Sequence, residues 1–207
     1  MRTITLIKPD GLRWLLAMAV VLLLPVGVAA QDSPEEFIRK LAQEAIELSR
    51  SNVQAEQLER LLDRSTDIPL VGRLVLGRYW RAAGDEQRQD YLALFRGYVL
   101  AGITRRLGGA KGIEKVEVTD SQPASGRDSM VATMITLGNG AAPSRVEWRV
   151  RQKGASYRIV DVVVEGVSLV VTNRDQFAAI VAESGMDGLL RELRDWSTRP
   201  AEQRPAA

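Results

Sequence analysis

The apolar pattern of this chain changes from helical to strand period at Gly108-Gly109-Ala110-Lys111-Gly112, and that change limits the fold more than any other feature. Before it, apolar residues recur every three or four positions, as one buried face of a helix requires. After it they alternate or run together, as strands require. Ser33-Pro34-Glu35-Glu36 starts the helical half with a capping serine, a proline suited to the first helical position and a capping-box glutamate. Phe37, Ile38, Leu41, Ala45 and Leu48 continue it as one stripe. Shorter helical pieces follow around Ala55–Leu62 and from Pro69 to a stop at Gly77. Asp85-Glu86-Gln87 opens the longest helix, running to about Leu107, with its acidic first turn matched to the helix dipole. Tyr91, Leu94, Phe95, Tyr98 and Gly102 share one face of that helix, and Gly108-Gly109 stops it.

Four strands are predicted beyond the change: Ile113–Val118, Met130–Leu137, Arg145–Arg151 and Tyr157–Val164. Turn residues at 120–128 and 138–143 join them, and such short connections make the sheet mostly antiparallel. Met130–Leu137 and Val160–Val164 are apolar on successive residues, the pattern of strands covered on both faces. Helices near Arg174–Ser184 and Asp187–Trp196 close the chain. The expected class is α+β, with N-terminal helices packed on a curved, mostly antiparallel four-stranded sheet and C-terminal closing helices. Such a domain can hold an apolar cavity or an ordinary packed core, and periodicity does not separate the two.

The N-terminus has the form of a signal peptide. Arg2, Lys8 and Arg13 precede an apolar run from Leu15 to Val28, and Val28-Ala29-Ala30 offers the small residues of a cleavage site before Gln31. The run is shorter than the ~20 residues that span a bilayer, and Pro25 interrupts it. The expectation is an exported, periplasmic domain over residues 31–198, a disordered tail over 199–207, and a leader over 1–30. Without that leader the chain has 25 basic and 25 acidic residues, a balance unsuited to nucleic acid. Cysteine and histidine are absent from the whole sequence. That excludes disulfides, thiolate nucleophiles, histidine-based triads and the usual zinc sites, so no catalytic or metal residue is assigned.

Several polar stretches invite a chemical reading, and each has a structural one beside it. Thr172-Asn173-Arg174-Asp175 fits a helix cap, with Arg174 left for docking or for a lipid phosphate. Gly77-Arg78-Tyr79-Trp80-Arg81 fits a helix end whose aromatics pack while its arginines stay solvated, ahead of a rim against a head group. Asp161 is a lone carboxylate in the apolar strand Ile159–Val164, without a visible acid, nucleophile or metal companion. Glu165 precedes Gly166, where a turn role is favoured over catalysis.

Two longer stretches carry a family likeness. Residues 75–99, VLGRYWRAAGDEQRQDYLALFRGYV, resemble the central helical segment of the MlaC, or toluene-tolerance, family. Residues 157–170, YRIVDVVVEGVSLV, resemble that family's last strand and its Gly-Val-Ser-Leu turn, and Asn173-Arg174-Asp175-Gln176-Phe177 resembles the helix start that follows. The resemblance covers roughly residues 33–196. It implies a helix-plus-sheet fold related to the NTF2-like or cystatin-like shape, and a periplasmic phospholipid carrier that is not an enzyme. By the same resemblance the cargo is a diacyl phospholipid and no cofactor is needed. The expected partners are an outer-membrane lipoprotein–porin complex and an inner-membrane ABC transporter bearing an MCE-domain ring, and the pathway maintains outer-membrane lipid asymmetry. A monomer is expected.

From the apolar faces, the pocket wall is expected at Leu70, Leu74 and Val75 on the shorter helix, and at Leu94 and Tyr98 on the long one. Val131, Ile135, Trp148, Val150, Val160, Val162 and Val164 are expected from the sheet, and Phe177 from the closing helix. Arg78, Arg81 and Arg174 are rim or docking candidates. Two competitors stand beside the carrier: an NTF2-like enzyme using Asp161 or Glu165 as base, and a ligand-free periplasmic adaptor.

Overall fold

Helix gives way to sheet where the period changes. The computed structural model describes residues 32–50, 55–107 and 112–198. The leader, its cleavage point, the glycine-rich stretch after Leu107 and the tail lie outside the described residues.

Helix α1 spans Pro34–Arg50, and its first turn is fixed by Ser33, whose hydroxyl accepts from the Glu36 amide at 3.2 Å. Helix α2 (Ala55–Ser65) leads into α3 (Ile68–Leu76), capped by the Asp67 carboxylate on the Leu70 amide. Gly77, at φ 56°, ends α3 in a conformation that favours glycine, and the short α4 (Tyr79–Ala82) follows. Helix α5 covers Asp85–Leu107, the bounds its sequence predicts.

The sheet has five strands rather than four, in the order β1-β2-β3-β4-β5, with every neighbouring pair antiparallel. They are β1 (Ile113–Pro123), β2 (Asp128–Leu137), β3 (Ser144–Lys153), β4 (Ser156–Val164) and β5 (Val167–Ser168). The fifth exists because Glu165 (φ 49°) and Gly166 (φ 81°) both turn left-handed, folding the chain straight back on β4. Opposite residues in a ladder share a face, so the register gathers Val131, Trp148 and Val162 with Ile135, Val146 and Val164 on one side. Pairs such as Lys115–Glu117 and Arg145–Glu147 belong to the other. A bulge opposite Arg149/Val150 takes Val160 out of step with Val162 and Val164: Ile159 faces Val150, Asp161 faces Arg149, and Val160 is the extra residue.

Helix α6, Leu169–Thr198, begins directly after β5 and is kinked at Gly185 (φ 70°, ψ −179°). The sequence places this start near Arg174, with Thr172 as cap. That expectation is corrected here. Thr172 lies inside the helix and its hydroxyl donates back to the Ser168 carbonyl, while Ser168 caps the Val171 amide.

Two apolar bodies result. In the helical layer, Tyr91 and Phe95 of α5 meet Phe177, Leu189, Leu193 and Trp196 of α6 and Val75 and Leu76 of α3. On the sheet, Ile38 of α1 packs with Val131, Val150 and Ile159, flanked by Trp148 and Val162. Leu48, Leu58 and Leu61 form a third, smaller cluster that Leu41, Leu100 and Ile103 join to the other two.

Candidate functional site

Most of the pocket-wall residues predicted from sequence divide between these two bodies. Val75 and Phe177 are fully enclosed in the helical one, with Leu74, Leu94 and Tyr98 half-buried against it. Val131 and Val150 are enclosed at the sheet, with Trp148 and Val162 half-buried beside them. Val160 is buried at the bulge, while Leu70, Ile135 and Val164 are half-buried outside all three clusters. The chain therefore brings the candidates together as two groups rather than one ring, and several large apolar side chains in each group keep part of their surface exposed.

Polar contacts fix the orientation of the aromatic candidates. The Trp148 indole N–H donates to the Thr133 hydroxyl at 3.0 Å, and that hydroxyl donates to the Val146 carbonyl. The Tyr98 hydroxyl donates to the Asn173 side-chain oxygen at 2.6 Å, and the Asn173 amide donates to the Leu169 carbonyl. Sequence reasoning missed Asn173 and Thr133 as positioning groups, because their partners lie far along the chain. Tyr91 donates to the Gly72 carbonyl at 3.0 Å, and burial pushes its phenol well above the ordinary range.

The arginines expected at a rim behave differently from one another. Arg78 and Arg81 are exposed, and the Arg78 guanidinium lies 4.8 Å from the Tyr79 ring centre. Arg174 is half-buried. Its Nε donates to the Leu74 carbonyl at 2.8 Å and its stem runs beside Gly77, so it ties α6 to the end of α3. Trp80 packs into the helical body with Arg73 and Arg88 over its ring.

Asp161 accepts from the Ser168 hydroxyl at 2.6 Å and from the Val162 and Val170 amides at 2.8 and 3.1 Å. Two of these donors, Ser168 and Val170, belong to the start of α6 and one to β4, so the carboxylate anchors α6 to β4. Glu165 accepts from the Arg145 amide at 2.6 Å and holds the β4–β5 turn. Among the described residues, no group of three acidic, histidine or cysteine side chains is placed to hold a metal ion. No described helix is long and apolar enough to cross a membrane.

A layer of helices thus packs on an antiparallel sheet with apolar surface left half-open on both, while Asp161 and Glu165 anchor a helix start and a turn. Solved structures agree on the fold. The chain superposes on a phospholipid-binding protein from Ralstonia solanacearum, solved in complex with a phospholipid, with a TM-score of 0.69 at 18% identity, covering 79% of this chain and 96% of that one.

The family model for MlaC protein matches residues 31–195, and the chain belongs to the MlaC family. It is 23% identical over 177 residues to the intermembrane phospholipid transport system binding protein MlaC of Haemophilus influenzae, covering 77% of this chain and 82% of that one. It is also 23% identical over 193 residues to the toluene tolerance protein ttg2D of Pseudomonas putida, covering 88% of each.

Proposed function

We propose that this protein is a periplasmic phospholipid carrier that holds acyl chains between its helical layer and the apolar face of its sheet. One observation supports the reading above the others. The helical and sheet cores meet only through the small cluster around Leu58 among the described residues, and Leu74, Leu94 and Tyr98 on one and Trp148 and Val162 on the other remain half-buried. A lipid tail lying between them would complete the burial of both. Each methylene so enclosed is worth about 0.8 kcal/mol, so two full acyl chains suffice for tight retention. Ile135 and Val164, on the same sheet face, extend the wall, with Leu70 at the helical side.

The carrier is exported behind the leader at residues 1–30, cleaved before Gln31, and acts as a monomer. It exchanges cargo with an inner-membrane ABC transporter bearing an MCE-domain ring and with an outer-membrane lipoprotein–porin complex, and so maintains outer-membrane lipid asymmetry. Release requires such a partner, because the same apolar burial that retains the chains opposes their escape into water. No residue has to act as acid, base or nucleophile.

Val162→Asp tests the assignment. A charge on the wall between Trp148 and Val164 makes burial of a lipid tail strongly unfavourable. Lipid extracted from the purified, folded variant should fall below about a tenth of the wild-type amount. A folded variant with unchanged lipid content would remove Val162 from the wall.

A further inference from the structure

A groove of about 350 Å³ runs between the start of α3 and the β3–β4 hairpin, and of the proposed lipid wall it shares Leu70 alone. Its charge is one-sided. Arg73, Arg127, Arg151, Lys153 and Arg158 line it, against a single carboxylate, Asp67. Lys153 is paired with Asp67 at 3.1 Å, and Arg151 with the buried Asp128 at 2.6 Å. Among the described residues, Arg73, Arg127 and Arg158 have no carboxylate within ion-pair distance. Arg73 lies over the Trp80 ring, and Arg158 donates only to the Ser156 hydroxyl and its neighbour's carbonyl.

We infer that this groove docks an acidic peptide segment of a partner protein. Three arginines without acidic partners supply the complementary charge, each able to take a carboxylate in a bidentate fork. The groove is recessed between a helix start and a hairpin, so a flat bilayer meets only its edges while an extended chain can lie in it. Pro69 and Leu70 add apolar surface on its wall, which suits side-chain carbons and not a bare inorganic anion. The arginines are spread over three elements, α3, the turn before β2 and β4, rather than focused on one point. That spacing matches several carboxylates along a chain.

The arginines it rests on take no part in the lipid assignment, and its test reads peptide binding, with vesicle flotation as the contrast. Fluorescence anisotropy of a fluorescein-labelled Asp-Glu-Leu-Asp-Glu-Glu peptide is measured against the full mature chain at low and high salt. Saturable binding is expected, weakened about tenfold by Arg127→Glu with Arg158→Glu and lost at 1 M salt, where the screening length is about 3 Å. Arg127→Gln with Arg158→Gln, which removes charge without reversing it, should weaken binding by a smaller factor and covers the case in which the reversed pair fails to fold. Arg50→Glu with Arg191→Glu makes the same change in net charge elsewhere and should leave binding unchanged. An equal loss in that control, no saturable binding by wild type, or arginine-dependent flotation with phosphatidylglycerol vesicles in place of peptide binding would each overturn the proposal.

Discussion

The helical body and the sheet body are built from the same kind of apolar residue but closed to different degrees. In the helical body the rings interlock: Phe177 lies edge-on to Tyr91 and Phe95 at 6.3 Å, and Tyr98 and Trp196 are 5.1 Å apart. Tyr91, Phe95, Phe177, Leu189 and Leu193 are each at most 2% exposed. In the sheet body Ile38 of α1 packs on the buried Val131, Val150 and Ile159. Beyond Ile38, Trp148 and Val162 stay half-open, as do Ile135 and Val164 on the same sheet face outside that body. The difference teaches where stability and binding are divided. Closed aromatic packing holds the shape, and on the proposed reading the half-open sheet face is left for cargo.

Phe177→Ala should break the comparison most severely. Removing an enclosed ring leaves a cavity among Tyr91, Phe95, Tyr98 and Trp196 and should cost about 3–5 kcal/mol, read as a lower urea midpoint. Val162→Asp, by contrast, should act first on lipid content. If the two variants lost stability equally, the division between shape-holding and cargo-facing surface would fail.

A smaller effect separates the charged end of the sheet from both. The Asp128 side chain is fully buried and takes Arg149 and Arg151 at 2.8 and 2.6 Å, which hold its carboxyl below the usual range, Arg151 contributing most. A carboxylate depressed in the fold stabilises it above the unfolded value near 4, and the contribution is lost as pH falls through the folded value. Asp128→Asn should therefore cost about 2 kcal/mol at pH 7, less than a fully buried pair because each arginine is 37% exposed, and the gap from wild type should close below about pH 4. Urea titrations across that range check the sign, and a gap that widened in acid would contradict it.

Much of this architecture is legible in the sequence, and the exceptions share one cause. Helix α5 starts and stops at Asp85 and Leu107 because its signals are local: acidic residues at one end, glycines at the other. The four long strands follow from period, except that β1 runs on to Pro123 through residues 120–123 that the sequence reads as turn. The start of α6 does not, since Val167–Val171 continues the apolar run of β4 and no acidic residue marks the first turn. Its cap is assembled by Asp161 from across the hairpin, a contact that local pattern cannot report. Arg174 was likewise legible as a charge and not as the group that closes α3, one hundred positions earlier. The site was legible as a list of apolar positions. Its division between two bodies depends on register and on the bulge at Val160, which shifts the β4 alternation by one residue.

The central claim is that apolar surface between these bodies carries lipid, and native mass spectrometry of the mature chain purified from bacterial periplasm tests it most directly. A one-to-one complex whose added mass, on extraction, is a diacyl phospholipid is the predicted result. A bare chain mass after mild purification, with no lipid taken up from added phospholipid vesicles, would contradict it.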